Sequence, residues 1–267
     1  MFAMTSPHET GCLLLHGFTS SPQEMAGLAA FLTTQGYIVQ TPRLPGHATT
    51  PQDLLRVSHK DWLATAEQSF QSLRSSTQKQ IVIGLSMGGL LALHLAANHT
   101  FAGVVALAPA LKLRRWAKIS ISILAPFNYI RRKPRGPDVH DPQGKALLDG
   151  YHHYPIAAAK SLLRLQRRVR AELNKIKIPL LAVHSRQDHT VPLKALDYLF
   201  EKVQSQPREK MIVEDSYHVL TVDFDREKIF VRIADFIKKV TNSQFSPEND
   251  SKAQPITGKK NLLLLRS

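Results

Sequence analysis

The sequence predicts an α/β fold with a mostly parallel central sheet of about six to seven strands and helices on both faces. Short apolar runs, typical of buried strands, alternate along the chain with stretches of helix-forming residues. At 267 residues the chain is long enough for one hydrophobic core with a small insertion, so separate domains are not required. Hydrophobic residues make up 43% of the chain, which is ordinary for a globular protein.

The elements can be assigned in chain order from this alternation. Apolar runs predict strands at 11–16, 37–41, 80–84, 102–108, 178–184 and 210–214. Helical stretches are predicted near 22–35, 59–75, 87–98, 192–204 and 225–240. Residues 241–267 are polar and predict a flexible tail, which ends in the four leucines Leu262 to Leu265. A frayed terminus and a docked or membrane-touching anchor are both open interpretations of those leucines.

Residues 81–90 are the most informative stretch, because an apolar run there leads through Gly-Leu-Ser-Met-Gly directly into a helical run. This is the G-x-S-x-G motif in the strand–turn–helix context that gives it meaning. The sharp turn strains the backbone of Ser86 and exposes its hydroxyl, while Gly84 and Gly88 let strand and helix approach closely. Ser86 is therefore the candidate nucleophile. A passive serine in a glycine-rich turn is the alternative.

A serine hydroxyl needs a general base that is itself oriented by an acid. Around a G-x-S-x-G turn of this kind, the acid and then the histidine follow the serine, on turns after late strands. Asp188 lies just beyond the strand predicted at 178–184, and His218 follows the strand predicted at 210–214. We therefore predict Asp188 as the acid and His218 as the base.

Other residues near turns compete for these two roles. Asp215 is an alternative acid, although it lies only three residues before His218 on the same turn. His184 belongs to a strand pattern, which favours a packed side chain. His16 is better suited to stabilising its own loop than to chemistry. The competing histidines near turns are His16, His47, His184 and His189.

The stretch Leu13 to Phe18 predicts part of an oxyanion hole. An apolar strand ends there in His-Gly, and the chain turns before a helix that begins near Pro22. The backbone N–H of Phe18 lies at this turn, and that of Met87 lies at a helix N-terminus, where backbone donors are free. Both are the expected donors to an acyl oxyanion. The alternative is that His-Gly is only a tight strand end.

Together these segments resemble the α/β-hydrolase superfamily and, within it, the small bacterial carboxylesterases and monoacylglycerol lipases. The matching pieces come in the family's order from about residue 11 to residue 240. They are LLLHGFTSSPQEM (13–25), PRLPGHATTPQDL (42–54), DW (61–62), GLSMGG (84–89), SRQDHTVP (185–192) and SYHVLTVD (216–223).

The resemblance implies an α/β-hydrolase core over 1–110 and 171–240, with a helical cap inserted over 111–170. It implies Ser86, Asp188 and His218 as the triad, Phe18 and Met87 as the oxyanion donors, and a small-molecule acyl ester as substrate. Thioesterase, acyltransferase or C–C hydrolase chemistry on the same triad stays open, as does a non-catalytic binding protein. Two departures stand out. Gly46-His47-Ala48 replaces Gly-His-Gly, and Tyr217 replaces a glycine and is expected to narrow the mouth of the pocket.

Composition limits the compartment and the cofactors. The one cysteine, Cys12, excludes an internal disulfide framework and is expected to be buried at a strand start. No signal peptide or membrane span is recognised, so a cytoplasmic location is predicted, with a peripheral position at a membrane as the alternative. His140, His152 and His153 have no acidic or thiol partner at a useful spacing, so neither a metal site nor a cofactor is predicted.

The net charge of +14 is concentrated in the predicted cap. Residues 111–170 hold 14 lysines and arginines against 3 aspartates, which leaves only +3 for the rest of the chain. A solvated basic surface is one interpretation. Contact with an anionic membrane surface, supported by Trp116 and the apolar run Ile119 to Ile130, is the second. Nucleic-acid binding is the third and is not favoured, because no such motif is present and aromatic residues are not interleaved with the basic clusters.

Overall fold

The chain is described by a computed structural model that covers residues 9–113, 115–124, 129–132 and 136–242. The strands are β1 (Thr10–Leu15), β2 (Ile38–Gln40), β3 (Lys79–Leu85), β4 (Gly103–Leu107), β5 (Ile130–Arg132), β6 (His153–Pro155), β7 (Leu180–Ser185) and β8 (Arg208–Val213). The helices are α1 (Ala26–Thr34), α2 (Pro51–Leu55), α3 (His59–Ser76), α4 (Met87–Asn98), α5 (Arg115–Leu124), α6 (Pro142–Ala146), α7 (Ile156–Glu172), α8 (Lys194–Lys202) and α9 (Arg226–Asn242). Short 3-10 helices lie at Pro22–Met25 and Leu173–Lys175.

Six strands form the main sheet in the order β2-β1-β3-β4-β7-β8, and every neighbouring pair is parallel. The predicted fold class is therefore confirmed, and each of the six predicted strands is present. The helix predicted over 22–35 is divided into the 3-10 turn Pro22–Met25 and α1. Pro22 starts that turn, and the Ser21 hydroxyl caps it by accepting from the N–H of Gln23.

The central strands bury both faces, so alternate residues feed two separate cores. In β1, Leu13 and Leu15 pack into the core beneath α3, α4 and α7, whereas Cys12 and Leu14 pack into the core beneath α1 and α9. Cys12 is fully buried, as expected, and burial raises the pKa of its thiol. This double burial explains why the strands appear in the sequence as unbroken apolar runs.

The strand order changes direction between β1 and β3, which lie side by side at the centre of the sheet. Sites in open parallel sheets form beyond the carboxyl ends of strands at such a switch point. The loop after β1 carries Phe18, and the turn after β3 carries Ser86. The fold therefore brings the predicted nucleophile and the predicted oxyanion loop to one place.

The segment between β4 and β7 differs in detail from a purely helical cap. It contains α5, α6 and α7, but also the antiparallel hairpin β5–β6, which the sequence analysis did not predict. Strands of three residues are too short to produce a recognisable alternating pattern. Helix α7 also runs through position 170 to Glu172. The division of the chain into core and cap stays a prediction.

Several predicted features lie outside the described residues. They include most of the tail, 243–267, with its four leucines, whereas residues 241 and 242 belong to α9. The side chain of Trp116 and the residues Arg114, Lys133 and Arg135 are also outside. Among the described residues, no helix combines the length and the apolar character needed to cross a membrane.

Candidate active site

Ser86 sits on a strained turn between β3 and α4. Its backbone dihedral angles, φ 56° and ψ −108°, lie outside the regions that L-residues other than glycine prefer. A Cβ atom at Gly84 would lie 2.0 Å from the carbonyl oxygen of Gly88, and a Cβ at Gly88 would lie 1.9 Å from the carbonyl oxygen of Leu15. Only glycine fits at both positions. The close approach that the motif predicts is therefore present.

The neighbouring strand holds this turn in place. The N–H of Ser86 donates to the carbonyl of Leu107 at the end of β4, 2.9 Å away. The carbonyl of Ser86 accepts from the N–H of Ala110 at 3.1 Å. These two hydrogen bonds attach the strained backbone of Ser86 to the end of β4 and the residues that follow it. The direction of the Ser86 hydroxyl therefore depends on the neighbouring strand as well as on the turn itself.

The three residues predicted as a triad form one hydrogen-bonded chain. His218 Nε2 lies 2.9 Å from Ser86 Oγ, and His218 Nδ1 lies 2.7 Å from Asp188 Oδ2. With Nδ1–H donating to the carboxylate, Nε2 is left to accept the proton of the serine hydroxyl. The second carboxylate oxygen, Oδ1, accepts from the N–H groups of Thr190 and Val191, both at 2.7 Å.

The charges of this chain favour an ionised acid and a basic imidazole. Burial alone would raise the pKa of Asp188, but the facing His218 and the hydrogen bonds to the carboxylate lower it below its ordinary value. Burial would likewise lower the pKa of His218, but the negative charges of Asp188, Asp138 and Glu24 raise it above its ordinary value. A base of this kind can hold the proton that it takes from a serine.

The competing acid and histidine lie elsewhere. The side chain of Asp215 is exposed, and its backbone N–H donates to Asp225. His184 is fully buried in β7, where its Nε2 lies 3.0 Å from the carbonyl of Val191 and 3.5 Å from the Asp188 carboxylate. His184 is thus packed behind the acid, as the strand pattern suggested.

His16 and His47 support the loop after β1. His16 Nε2 accepts from the N–H of Leu44, so its Nδ1–H donates to the carbonyl of Gly17 at 2.9 Å. Burial lowers the pKa of His16 to about 4, which keeps the imidazole neutral in this role. His47 is also fully buried, and its ring centroid lies 5.1 Å from that of His16.

The loop that carries Phe18 is held from two sides. The N–H of Gly17 donates to the carboxylate of the buried Glu24 at 3.2 Å. The ring of Phe18 makes edge contacts with the rings of His47, Trp62 and Tyr154, with centroids between 5.8 and 6.0 Å apart. Met87 is the first residue of α4, so its N–H is one of the donors that a helix leaves unsatisfied at its N-terminus.

A cavity of about 350 Å³ opens beside Ser86 and His218. Much of its wall is apolar, from Phe18, Ala110, Leu113, Ile121, Ala159 and Leu162. Most of these lie between β4 and β7, so the predicted cap segment forms one side of the cavity. A pocket of this size, with a largely apolar wall that also carries polar side chains, suits a ligand with an apolar portion.

Tyr217 does not have the position expected of it. It is not among the residues that line the cavity. Its ring is stacked on that of His140, with centroids 4.5 Å apart, and meets the edge of His189 at 4.4 Å. Of these three, His189 lines the cavity, so Tyr217 acts on the pocket only through its neighbour.

Three polar residues at the site were missed by the sequence analysis. Glu24, Asp138 and Arg131 all line the cavity. Asp138 accepts through its carboxylate from the N–H of His189 and the hydroxyl of Thr190, at 3.1 and 3.0 Å. Asp138 and Arg131 lie outside the matching segments. Glu24 lies within the segment 13–25, which was the only signal for it.

Residues 6–225 match the family described as "Serine aminopeptidase, S33". The chain belongs to this family of α/β-hydrolases. Among curated relatives, a thermostable monoacylglycerol lipase from Bacillus sp. (strain H-257) is 35% identical over 235 residues, which cover 86% of this chain and 90% of that protein. A carboxylesterase from Bacillus subtilis (strain 168) is 25% identical over 230 residues, covering 85% and 92% of the two chains.

Solved structures of lipolytic enzymes are also similar to this chain. A structure reported for LipS and LipT, two metagenome-derived lipolytic enzymes, superimposes with a TM-score of 0.82 at 33% identity, covering 86% of this chain and 94% of that one. A soluble variant of monoglyceride lipase from Saccharomyces cerevisiae reaches a TM-score of 0.76 at 14% identity, covering 90% and 89%. At that identity the yeast structure supports the fold alone.

Proposed function

We propose that this S33-family protein is a serine esterase that cleaves medium- or long-chain acyl esters, including monoacylglycerols. The observation that carries the proposal is the hydrogen-bonded chain from Ser86 through His218 to Asp188, which opens onto an apolar cavity. Relatives named as a monoacylglycerol lipase and a carboxylesterase support the same reaction class. They do not favour thioesterase, acyltransferase or C–C hydrolase chemistry.

The reaction proceeds in two acyl-transfer steps. His218, oriented by Asp188, accepts the proton of Ser86 as the serine oxygen bonds to the ester carbonyl carbon. The N–H groups of Phe18 and Met87 donate to the oxyanion of the tetrahedral intermediate, and each such donor lowers the barrier by about 3 kcal/mol. His218 then protonates the leaving alcohol. In the second step His218 accepts a proton from water as the water oxygen bonds to the acyl carbon. His218 then returns this proton to the Ser86 oxygen as the bond between that oxygen and the acyl group breaks and the acid is released.

Initial rates on p-nitrophenyl esters from acetate to palmitate, with monoacylglycerols alongside, test this proposal. Ser86→Ala should reduce ester turnover to below about 1% of wild type, because no other group takes over the nucleophile's role. Ser75→Ala, an exposed serine on α3, is the matched control and should keep wild-type rates. Turnover above that level in Ser86→Ala, or none in wild type, would overturn the assignment. Aminoacyl nitroanilides test the peptidase activity that the family's description names.

The predicted cap segment carries features of a peripheral membrane contact, which we propose as a second property. Five of its large apolar side chains are exposed: Ile119 (50%), Ile123 (62%), Tyr129 (52%), Ile130 (45%) and Leu147 (59%). They lie in the segment where the positive charge of the chain is concentrated. Exposed apolar groups beside cations suit an anionic lipid surface, where such an esterase would meet its substrates.

Cosedimentation with vesicles of phosphatidylcholine, with and without phosphatidylglycerol, tests the membrane contact. Binding should require the anionic lipid, weaken with salt, and decrease in Ile123→Gln. Val231→Gln on α9 is the matched control, since Val231 is exposed to a similar extent, 52%, but lies outside the segment. Equal binding by the two variants, or a preference for an oligonucleotide over the vesicles, would contradict the proposal.

A further inference from the structure

The apolar cavity beside Ser86 is also lined by two arginines, Arg131 and Arg132. Both belong to β5, the short strand that the predicted cap segment places against β6. Arg131 is partly buried and Arg132 is exposed. Burial of a charge is opposed by its desolvation, so the partly buried Arg131 is not expected in the wall of a pocket that binds only a hydrocarbon chain. The position of these arginines therefore indicates that the substrate carries a polar or charged group.

Arg131 connects to the oxyanion loop through a single aromatic ring. It pairs with Tyr154 across the β5–β6 hairpin and forms a hydrogen bond with that side chain. The ring of Tyr154 packs edge-on against Phe18, with centroids 5.8 Å apart. Arg131 also donates to the hydroxyl of Ser120 on α5, at 3.4 Å. The guanidinium is thus held by two neighbours, Ser120 and Tyr154, and one of them packs against the residue that carries the oxyanion N–H.

The two acidic residues in the cavity wall, Glu24 and Asp138, accept hydrogen bonds from neighbouring loops. Glu24 accepts from the N–H of Gly17, and Asp138 accepts from His189 and Thr190, so both carboxylates hold loops around the triad. The arginines lie instead on the hairpin, where the segment from 111 to 170 carries a net charge of +11. The two arginines thus sit within the most basic segment of the chain, and a segment of this charge attracts anions and raises their local concentration.

We propose that the ester cleaved at this site carries an anionic group, a carboxylate or a phosphate, and that Arg131, assisted by Arg132, binds this group. Guanidinium groups match both anions, since their N–H donors form a planar fork that contacts two oxygens at once. The anion lies on either the acyl or the alcohol side of the scissile ester. This inference rests on the proposed esterase function and defines its substrate class.

Two matched pairs of substrates test the inference and separate the two sides. Monomethyl adipate against methyl hexanoate places a carboxylate on the acyl side. A 1-acylglycerol 3-phosphate against the 1-monoacylglycerol of the same chain places a phosphate on the alcohol side. In at least one pair, wild-type kcat/KM should be higher for the anionic ester at low salt. Raising the salt concentration should reduce that preference.

The arginine variants then separate a specific site from general attraction. The ratio of anionic to neutral kcat/KM should fall at least tenfold in Arg131→Gln and less in Arg131→Lys, which keeps the charge but loses the fork. Arg56→Gln is the matched control, because that side chain is exposed and lies outside the cavity, and its ratio should stay within twofold of wild type. Melting curves establish that each variant is folded.

Three results would overturn the inference that Arg131 binds an anionic group of the substrate. A wild-type enzyme that prefers the neutral member of both pairs overturns the inference without any variant. An unchanged ratio in folded Arg131→Gln, or an equal loss in Arg56→Gln, also overturns it, because the preference would then come from the overall charge. Hydrolysis of the neutral esters that depends on Ser86 would still support the esterase function in these cases. If no ester at all is hydrolysed, the proposed function itself fails.

Discussion

The backbone carbonyl of Asp138 accepts a hydrogen bond from the N–H of His218 at 3.0 Å and another from that of Val219 at 3.2 Å. The carboxylate of the same residue accepts from the N–H of His189 and the hydroxyl of Thr190. Asp138 therefore joins the loop that carries the proposed base to the loop that carries the proposed acid. Because it lies between β4 and β7, it also ties the predicted cap segment to the triad.

The charge of Asp138 should be visible in the pH profile. Its carboxylate, with Asp188 and Glu24, raises the pKa of His218 above the ordinary value. The base must be neutral to accept a proton, so kcat/KM should rise with pH through a midpoint above about 6.5. Asp138→Asn removes one of the negative charges that favour the imidazolium, so this midpoint should move to lower pH. Asp235→Asn, on the exposed face of α9, should leave it in place. A midpoint that is unchanged or raised in Asp138→Asn would contradict the electrostatic account.

The acid can be tested by an isosteric change. Asp188→Asn keeps an oxygen for the N–H groups of Thr190 and Val191 but removes the charge that holds His218 with its proton on Nδ1. We expect kcat to fall by about 10³–10⁴, as for the loss of the acid in other triads. Asp215→Asn should retain activity, since Asp215 is exposed. If instead Asp215→Asn is the inactive variant, the acid has been assigned to the wrong residue.

Gly88 should tolerate no side chain. A Cβ there would lie 1.9 Å from the backbone oxygen of Leu15, and neither the strand nor the helix can move away alone. Gly88→Ala should therefore lower the free energy of unfolding by about 4 kcal/mol or more, or give no folded protein. Gly27→Ala in α1 is the matched control. Its Cβ would meet the ring of Phe230 at an ordinary 3.5 Å, and alanine favours a helix by up to about 1 kcal/mol. Denaturant titration compares them, and similar stabilities for the two variants would refute the steric account.

Ala48 carries a strain that glycine would relieve. Its φ of 53° lies in the left-handed region, which costs a residue with a Cβ about 1–2 kcal/mol. Relief of this strain stabilises the folded protein, but glycine also increases the conformational entropy of the unfolded chain, which offsets part of that stabilisation. Ala48→Gly should therefore raise the free energy of unfolding by about 0.5–1 kcal/mol. Ala30→Gly, at an exposed position within α1, should instead destabilise it by about 1 kcal/mol. Thermal unfolding measures both changes, and a destabilised Ala48→Gly would show that the backbone conformation at residue 48 is not the source of strain.

The sequence was sufficient to predict the sheet and the candidate triad because their signals are local. Strands buried on both faces leave unbroken apolar runs, as in 81–85, and the turn at Ser86 needs glycines at fixed positions. Asp188 follows such a strand, β7, and His218 follows the edge strand β8, whose apolar residues are confined to its end. These patterns depend on neighbours in the chain, so a single sequence is enough to find them.

The remaining site residues depend on contacts between distant segments. Asp138 meets His189 across 51 residues, and Arg131 reaches the same cavity as Phe18 through the β5–β6 hairpin, where its partner Tyr154 packs on Phe18. Strands of three residues leave no periodic pattern, so the hairpin itself could not be predicted. The charge count located the unusual segment but could not indicate which of its arginines face the cavity.

The most direct test of the central claim is the mass of the protein during turnover. Wild-type protein quenched in acid within milliseconds of mixing with a p-nitrophenyl ester should gain the mass of the acyl group, and peptide mapping should place it on Ser86. Ser86→Ala should gain none. An acyl group on another residue, or turnover by wild type with Ser86 unmodified and dispensable, would contradict the account.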